Sequence, residues 1–169
     1  TMKTRSGLVK QKTARQGKQY SVATPSGDLM AETHSLYETM GLIRVVAMEP
    51  EGRATLEYEA KPEQCHSGGV VQGGFISGWI DAAMAHAALA KNGTEIVPMS
   101  LELKVSFFAP ARPGKVIAEG WVERHGRRTG FYEGHLKDEH GTVLAKGTST
   151  ILLADKSRVE QAAKKARQE

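Results

Sequence analysis

One acidic side chain, Asp81, stands inside an apolar run of helical length, where it could act as a nucleophile or a general base. Between residues 75 and 90 the only other side chains with polar atoms are Ser77, Trp79 and His86. Such a run predicts a helix that is apolar nearly all round and therefore buried. Because burying an unpartnered carboxylate is costly, we expect Asp81 to have either a hydrogen-bonded structural role or a catalytic one.

The helix positions around Asp81 are mostly small, which leaves room for a ligand beside the carboxylate. Its neighbours on that helix face are Gly74, Ser77, Gly78, Met84, Ala85 and Ala88. Gly73 and Gly74 lie where the helix should begin, so their N–H groups would point outward at the positive end of the helix dipole. This arrangement predicts a site for a developing oxyanion. The same residues also fit a structural role, in which the glycine-rich loop packs against a neighbour and Asp81 bonds a backbone amide.

The motif Gln72-Gly73-Gly74, followed by Asp81, resembles the His-Gly-Gly and acidic-residue signature of hotdog-fold acyl-CoA thioesterases of the phenylacetic-acid-pathway and 4-hydroxybenzoyl-CoA type. Gln72 stands where that family usually has His. Many members have an Asn six residues before that His and a Gly three residues after the Asn. Here His66 and Gly69 occupy those two places.

The segment from Val97 to Gly114 is similar to the long strand and Pro-Gly turn that follow the helix in this family. Ser100 falls where some relatives carry a catalytic Ser or Thr. The resemblance covers roughly residues 35 to 153 and implies an α+β hotdog fold, in which an antiparallel sheet wraps around one long central helix. It divides the chain into a basic N-terminal extension (1–34), a hotdog thioesterase domain (35–153) and a C-terminal helical tail (154–169).

The resemblance implies hydrolysis of an acyl-CoA thioester to free acid and CoA. The carbonyl would accept hydrogen bonds from the N–H of Gly73 or Gly74, and Asp81 would either attack the carbonyl or activate water. Residue types do not separate these two roles. The side chains expected to position the thioester, the water or the carboxylate are Gln72, His66 and Ser100.

The segment 124–131 contains a second candidate binding site, a basic turn that precedes a strand. Relatives with this fold often place basic and hydroxyl residues from this connection against the CoA phosphates, and Arg127, Arg128 and Thr129 match in kind. The Arg guanidinium can donate two parallel hydrogen bonds to phosphate oxygens, which supports this hypothesis. A solvated basic turn is the alternative.

The resemblance further implies that active sites form between protomers, so we expect a homodimer or a homotetramer. The acyl chain should enter a pocket bounded by the small helix face and by Phe75, Met84 and Met99. Whether that acyl group is aromatic or aliphatic stays open at this stage.

Length and composition suit one domain with a core, since the chain has 169 residues of which 40% are hydrophobic. No apolar run is long enough for us to expect a membrane span. The single Cys excludes an internal disulfide and is compatible with a cytoplasmic location, which we expect. Cys65 lies beside His66, but adjacent side chains of an extended segment point to opposite faces, which argues against a thiol nucleophile.

The positive charge is concentrated at the two ends of the chain. Residues 1–20 contain six Lys and Arg and no acid, and residues 154–169 contain five bases and three acids. The ends thus carry a net charge of +8 and the whole chain +4, which leaves −4 for residues 21–153. We therefore expect no nucleic-acid groove in residues 21–153. We expect the two basic ends to be solvated extensions and not binding surfaces for polyanions or membranes.

Turn residues divide the chain into elements. Residues 33–39 predict a short helix or turn after the loop 24–28, and residues 42–48 and 53–60 predict a hairpin around Glu49-Pro-Glu-Gly52. After the long helix, four β-rich runs predict a four-strand meander. These runs are Val97–Phe108, Lys115–Arg124, Thr129–Asp138 and Val143–Leu153. The end of the chain, 156–168, predicts a surface helix.

No metal or cofactor is expected, apart from the CoA that is part of the substrate, because no ligand spacing, P-loop or dinucleotide fingerprint is present. Two other functions remain open. One is a non-catalytic acyl-CoA binding or sensor module, suggested by the substitutions at Gln72 and His66. The other is a hotdog hydratase or dehydratase, because Ser26-Gly27-Asp28 matches part of a hydratase signature but lacks its Asn-Pro-x-His continuation.

Overall fold

The computed structural model of the chain describes residues 36–167. Six strands form one antiparallel sheet, and the 20-residue helix α1 packs along it. The elements are β1 (Leu42–Glu49), β2 (Arg53–Ala60), α1 (Gly73–Asn92), β3 (Ile96–Phe107), β4 (Gly114–His125), β5 (Thr129–Asp138), β6 (Val143–Asp155) and α2 (Lys156–Ala166). A short 3-10 helix, Pro62–Gln64, precedes α1. The fold is the predicted hotdog arrangement, a sheet around one long helix.

The hairpin formed by β1 and β2 shows how the sequence pattern builds the sheet. Alternate residues of β2 are apolar and buried, namely Ala54, Leu56, Tyr58 and Ala60. The turn closes with Gly52 at φ +93°, and the Gly52 N–H donates to the Glu49 carbonyl at 2.9 Å. Because glycine adopts positive φ readily, this position ends the first strand where the sequence predicts it to end.

The strand order is β1-β2-β4-β5-β6-β3, which differs from the prediction. The predicted four-strand meander is wrong for β3, because this strand pairs with β6 while β4 lies beside β2. Only β4, β5 and β6 follow one another as a meander. The apolar pattern of a strand specifies which face is buried but not which strand lies beside it, so the order depended on tertiary packing.

Helix α1 buries one stripe rather than its whole circumference. The buried members of the stripe are Ile76, Trp79, Ile80, Ala83, Met84, Ala87 and Ala88. Two glycines of the sheet allow the close approach: a Cβ at Gly120 would lie 2.5 Å from the Ala83 backbone, and one at Gly134 would lie 3.1 Å from the Ile80 side chain. The prediction of a helix buried all round is therefore wrong for one protomer, since the sheet covers only one side and leaves Asp81 half-buried.

The remaining predicted elements lie toward the chain ends. Residues 36–40 are helical, in agreement with the predicted short helix, whose first residues lie outside the described part. The predicted loop 24–28, with its partial hydratase signature, also lies outside it. The C-terminal helix forms as α2, and Asp155 caps it by accepting the Arg158 N–H at 3.1 Å. Among residues 36–167, no helix is long and apolar enough to cross a membrane.

Candidate active site

The N-terminus of α1 is held in place by the segments on both sides of it. Gln72 is the N-cap, and its Oε1 accepts the Gly74 N–H at 2.6 Å. The Gln72 N–H donates to the Gln64 carbonyl at 2.9 Å, and the Val71 N–H donates to the Ala111 carbonyl at 2.9 Å. These bonds tie the helix start to the 3-10 helix and to the segment after β3. Two of the predicted site residues, Gln72 and Gly74, are thus in direct contact.

The cap at Gln72 decides which N–H groups a substrate could use. The Gly73 N–H has no hydrogen-bond partner within residues 36–167 and is free to bind a carbonyl oxygen. The Gly74 N–H already donates to Gln72, so it would become available only when the Gln72 amide rotates away. Since a helix N-terminus favours negative charge, the Gly73 N–H is the donor that suits a developing oxyanion.

Asp81 and Ser100 form the second contact between predicted site residues. The Ser100 hydroxyl donates to Asp81 Oδ1 at 2.6 Å, so α1 and β3 bring the two side chains together. Asp81 is half-buried and Ser100 is exposed. Within the described part of the chain Asp81 has no ion-pair partner. Within residues 36–167 the carboxylate therefore keeps oxygen lone pairs that no other hydrogen bond uses.

His66 lies in a tight turn that its own side chain stabilises. Its Nδ1 accepts the Gly68 N–H at 3.1 Å, and its backbone N–H donates to the Val70 carbonyl at 3.0 Å. Gly69 completes the turn with φ +66°. Because Nδ1 acts as an acceptor here, the neutral ring carries its proton on Nε2, which is then available as a donor.

The helix start and the carboxylate are too far apart to act on one carbonyl within a protomer. Asp81 follows Gly74 by seven positions, which places it about 10 Å further along the helix axis. Reacting atoms must approach within roughly 3–3.5 Å. The structure thus joins Gln72 to Gly74, and Asp81 to Ser100, but does not join these two pairs to each other.

The predicted phosphate-binding residues lie on the turn between β4 and β5. Arg127 and Arg128 are exposed, and the Arg128 carbonyl accepts the Leu153 N–H at 2.8 Å, which anchors the turn to β6. Thr129 is the first residue of β5. Gly130 pairs with Ile151, which pairs with Ser100, so Gly130 lies roughly 10 Å from Ser100 across two strand spacings and the basic turn lies at the same end of the sheet.

The three predicted acyl-pocket residues lie in different environments within one protomer. Met84 is fully buried, and its side chain lies near Gly134 of the sheet. Phe75 is half-buried and packs on Trp79, with ring centroids 6.4 Å apart. Met99 is 40% exposed on β3. A fully buried side chain such as Met84 contacts no open pocket in this protomer.

A cleft that the sequence analysis missed opens beside the helix start. Its volume is about 390 Å³, and it lies between the Gly73 end of α1, His66 and the segment after β3. Phe107 and Phe108 form part of its wall. The sequence signal was the pair of aromatic residues before Ala109-Pro110, which had been assigned only to a strand end.

The other titratable candidates have structural partners. His86 Nδ1 bonds the Ala82 carbonyl at 2.7 Å, and burial lowers the pKa of His86, so this side chain has a structural partner on its own helix. His135 contacts Glu119 at 2.6 Å. The Cys65 thiol lies 3.6 Å from the Lys61 carbonyl, to which it donates. Over residues 36–167, no three His, Cys, Asp or Glu side chains cluster in a way that could hold a metal ion.

Comparisons with known proteins identify the family and the fold. The model of the thioesterase superfamily matches residues 68–145. A relative from Saccharolobus solfataricus named "Putative esterase SSO2140" is 36% identical over 104 residues, which cover 62% of this chain and 73% of the relative. A phenylacetic acid degradation-related protein of Ralstonia eutropha superposes with a TM-score of 0.64 and 26% identity, over 70% of this chain and 89% of that one. The PaaI protein of the phenylacetic acid degradation operon of E. coli shares the fold with a TM-score of 0.65 at 18% identity, over 74% and 88% of the two chains.

Proposed function

This chain belongs to the thioesterase superfamily of ester and thioester hydrolases, and we propose that it hydrolyses acyl-CoA thioesters to free acid and CoA. The observation that carries the proposal is the accessible Asp81 carboxylate, which accepts one hydroxyl bond from Ser100 at 2.6 Å and has no cation beside it in the described residues. The helix start at Gly73 supplies the donor that a thioester hydrolase needs for its oxyanion.

The chemistry follows from these groups. The thioester carbonyl accepts the Gly73 N–H, with the Gly74 N–H joining after Gln72 rotates. Asp81 then acts in one of two ways. As a nucleophile, its oxygen attacks the carbonyl carbon and expels the CoA thiolate, and water cleaves the resulting anhydride. As a general base, it takes a proton from the attacking water, and the tetrahedral intermediate collapses to the acid while the thiolate leaves and is protonated.

The separation of about 10 Å between Gly74 and Asp81 supports a site shared by two protomers. In that arrangement one chain provides the helix start, and its partner provides the carboxylate and the serine. His66 lies on the helix-start side and would orient the thioester or the water through Nε2. The basic turn of Arg127 and Arg128 would bind the CoA phosphates.

Strand β3 is the edge best suited to join two protomers. It is the last strand of the described sheet, is 12 residues long and exposes Met99, Leu101 and Leu103. The opposite edge strand, β1, has eight residues and two register irregularities, against one in β3. Bulges and short length disfavour edge pairing, so β3 is the edge that a second copy would extend.

The positions of the contacts suggest the register of that pairing. The helix start lies beside Phe107 of β3, because a Cβ at Gly73 would be 3.2 Å from the Phe107 ring. Asp81 lies beside Ser100 of the same strand. Antiparallel pairing of two β3 strands brings Ser100 of one copy opposite Phe107 of the other when the two-fold axis passes between residues 103 and 104. That register puts the carboxylate of one copy beside the helix start of the other.

The direct experiment incubates the full chain with a panel of acyl-CoA thioesters and measures released thiol with a disulfide reagent. Multiple turnovers that disappear in Asp81→Asn are expected. Tight binding of the thioesters without turnover, and with the thioester protected, would instead identify a non-catalytic acyl-CoA binding module.

Subunit mixing tests the shared site. Asp81→Asn disables the carboxylate, and Gly73→Val obstructs the helix start, so each homodimer should be nearly inactive. A mixed dimer keeps one intact site, and random exchange should therefore restore about a quarter of the parent activity. Sedimentation checks that each variant forms the same oligomer as the parent. No recovery in verified mixed dimers, or a stable and active monomer, would contradict the shared site.

A further inference from the structure

We infer that Glu102 of β3 is a positioning residue for the Asp81 carboxylate. The Glu102 side chain holds a β-bulge at Leu101, and this bulge turns the Ser100 hydroxyl toward Asp81. The inference rests on the proposed thioester hydrolysis and adds to that site a residue that acts on Asp81 only through Ser100.

The bulge is visible in the pairing of β3 with β6. Ser100 pairs with Ile151, and Glu102 pairs with Thr150. Leu101 is therefore an extra residue with no counterpart among the described residues of β6. An extra residue in one strand changes the face to which the side chains on one side of it point, and bulges beside active sites commonly re-aim a side chain in this way.

The direction of the Ser100 side chain depends on this bulge. Val105 packs against the core and Phe107 lies beside the start of α1, so both side chains face the helix. Because side chains alternate between the two faces of a strand, a regular β3 would turn Leu101 toward α1 and Ser100 away from it. The observed strand does the opposite, since Leu101 is 59% exposed and Ser100 Oγ lies 2.6 Å from Asp81 Oδ1.

Glu102 fixes the bulge through bonds to two successive residues of β6. Its Oε1 accepts the Thr150 N–H at 2.9 Å and the Thr150 hydroxyl at 3.1 Å. Its backbone carbonyl accepts the hydroxyl of the buried Ser149 at 2.7 Å. A bulge disrupts the hydrogen-bond ladder locally, and here a side-chain carboxylate accepts a backbone N–H of the neighbouring strand. Glu102 therefore anchors the residue after the bulge in one register.

A second register competes with the observed one. If the bulge left its place, Leu101 would turn to the α1 face, where an apolar side chain gains burial. A slip of one residue moves side chains to the other face, so Ser100 would leave Asp81 as Leu101 turned inward. The bonds of Glu102 oppose this slip. All of these groups belong to α1, β3 and β6 of one chain, so each protomer contains the whole arrangement.

Kinetics of three Glu102 variants test the role of its oxygen. Glu102→Ala removes the acceptor, so kcat should fall about tenfold with a small change in KM, as for Ser100→Ala. Glu102→Gln keeps an acceptor oxygen in the same place and should recover most of the rate. Glu102→Met keeps the length of the side chain without the oxygen and should be as slow as Glu102→Ala. Equal rates in Glu102→Gln and Glu102→Met would overturn the inference, even if Glu102→Ala did not fold.

A double variant separates positioning from a general loss of packing. If Glu102 acts only through the serine hydroxyl, the double variant Ser100→Ala, Glu102→Ala should be no slower than Ser100→Ala alone. Losses that multiply would show an independent role for Glu102 and would contradict the inference. The control is Glu133→Ala, an exposed acid on the same face of the sheet, which should leave kcat and KM unchanged. Sedimentation checks that every variant forms the same oligomer as the parent.

Two structural measurements test the inference without any turnover. In crystal structures, Ser100 Oγ and Asp81 Oδ1 should lie more than about 3.5 Å apart in Glu102→Ala and remain bonded in Glu102→Gln. Hydrogen exchange of the Thr150 N–H, measured by NMR, should be faster in Glu102→Ala and near the parent rate in Glu102→Gln.

These measurements also separate the inference from the proposed function. Loss of the Ser100–Asp81 bond in Glu102→Ala, in a protein that cleaves no thioester, would support the positioning role and remove only the hydrolysis. Turnover by the parent together with an intact bond in Glu102→Ala would leave the hydrolysis standing and overturn the role of Glu102.

Discussion

Two carboxylates of this protein, Glu57 on β2 and Asp81 on α1, occupy opposite kinds of environment. The Glu57 side chain is only 7% exposed, and both of its oxygens bind cations: Arg44 Nη2 and Lys115 Nζ each lie 2.7 Å away. Asp81 is half-buried and accepts one hydroxyl bond, from Ser100. Glu57 is thus paired with two cations, whereas Asp81 has no cation beside it within the described residues.

The difference shows how a structural acid is distinguished from an acid available for chemistry. The hydrogen bonds from Lys115 and Arg44 outweigh burial and hold the pKa of Glu57 below its ordinary value. A carboxylate held this way by two cations has little capacity left for a substrate or a water. Asp81 has that capacity, and it lies on the helix whose start offers an oxyanion donor. The following changes are designed to break or sharpen the contrast.

The largest effect is expected from Asp81→Asn. This change keeps the shape of the side chain but removes the negative charge, so kcat for a good acyl-CoA substrate should fall at least about 10²-fold. Folding should survive, since a half-buried charge becomes a neutral amide. Steady-state kinetics and a thermal melt measure both outcomes. A folded variant with the parent rate would show that Asp81 does not take part in catalysis.

The matched control for Asp81→Asn is Glu51→Gln, at an exposed turn position. Asp138, in the turn between β5 and β6, is another acid outside the candidate site. The structure makes it unsuitable, because Asp138 Oδ1 accepts the His140 N–H at 3.0 Å and the Thr142 N–H at 2.8 Å. Glu51→Gln should leave both kcat and the melting temperature unchanged.

Ser100→Ala should have the next largest effect. It removes the only hydroxyl bonded to Asp81 in the described residues, so the carboxylate is less well oriented, and kcat should fall about tenfold with a small change in KM. Ser100→Thr retains a hydroxyl and should recover part of the rate. If both variants lose activity equally, the effect comes from packing at β3 and not from the hydroxyl.

A smaller effect, mainly on binding, is expected from Arg127→Ala and Arg128→Ala. Phosphate contacts remote from the carbonyl provide uniform binding, so KM for CoA thioesters should rise several-fold with kcat nearly unchanged. Added salt should mimic the substitutions. Truncated thioesters without the nucleotide serve as the control, and an equal loss on those substrates would remove both arginines from the CoA site.

Glu57→Gln should have the smallest effect on activity and should instead lower stability. Because the folded pKa of Glu57 is depressed, its contribution is present above the unfolded pKa and is lost as pH falls through the folded value. The melting temperature of the variant should therefore lie below that of the parent at pH 7, and the two should converge in acid. Thermal melts across pH check this. An equal difference in melting temperature between variant and parent at all pH values would mean that the ion pairs do not stabilise the fold.

The sequence by itself determined the elements that depend on local chemistry. The Glu49–Gly52 turn and the two glycines before the apolar run predicted the first hairpin and the start of α1 to within a residue. The family motif placed Gln72, Asp81 and Ser100, and the structure adds that Asp81 and Ser100 are in contact. The turn and the helix start depend on backbone preferences and periodicity of neighbouring residues, whereas the roles of Gln72 and Ser100 are what the resemblance implies.

Only the tertiary structure decided how those elements meet. It placed β3 beside β6, buried Met84 under the sheet and left Asp81 half-open, because the covered side of a helix depends on which strands pack on it. It also opened the cleft at Phe107 and Phe108, two residues whose side chains the sequence assigned only to a strand end. Contacts between residues far apart in the chain arise from strand pairing and packing, and an alternating apolar pattern is compatible with several such pairings.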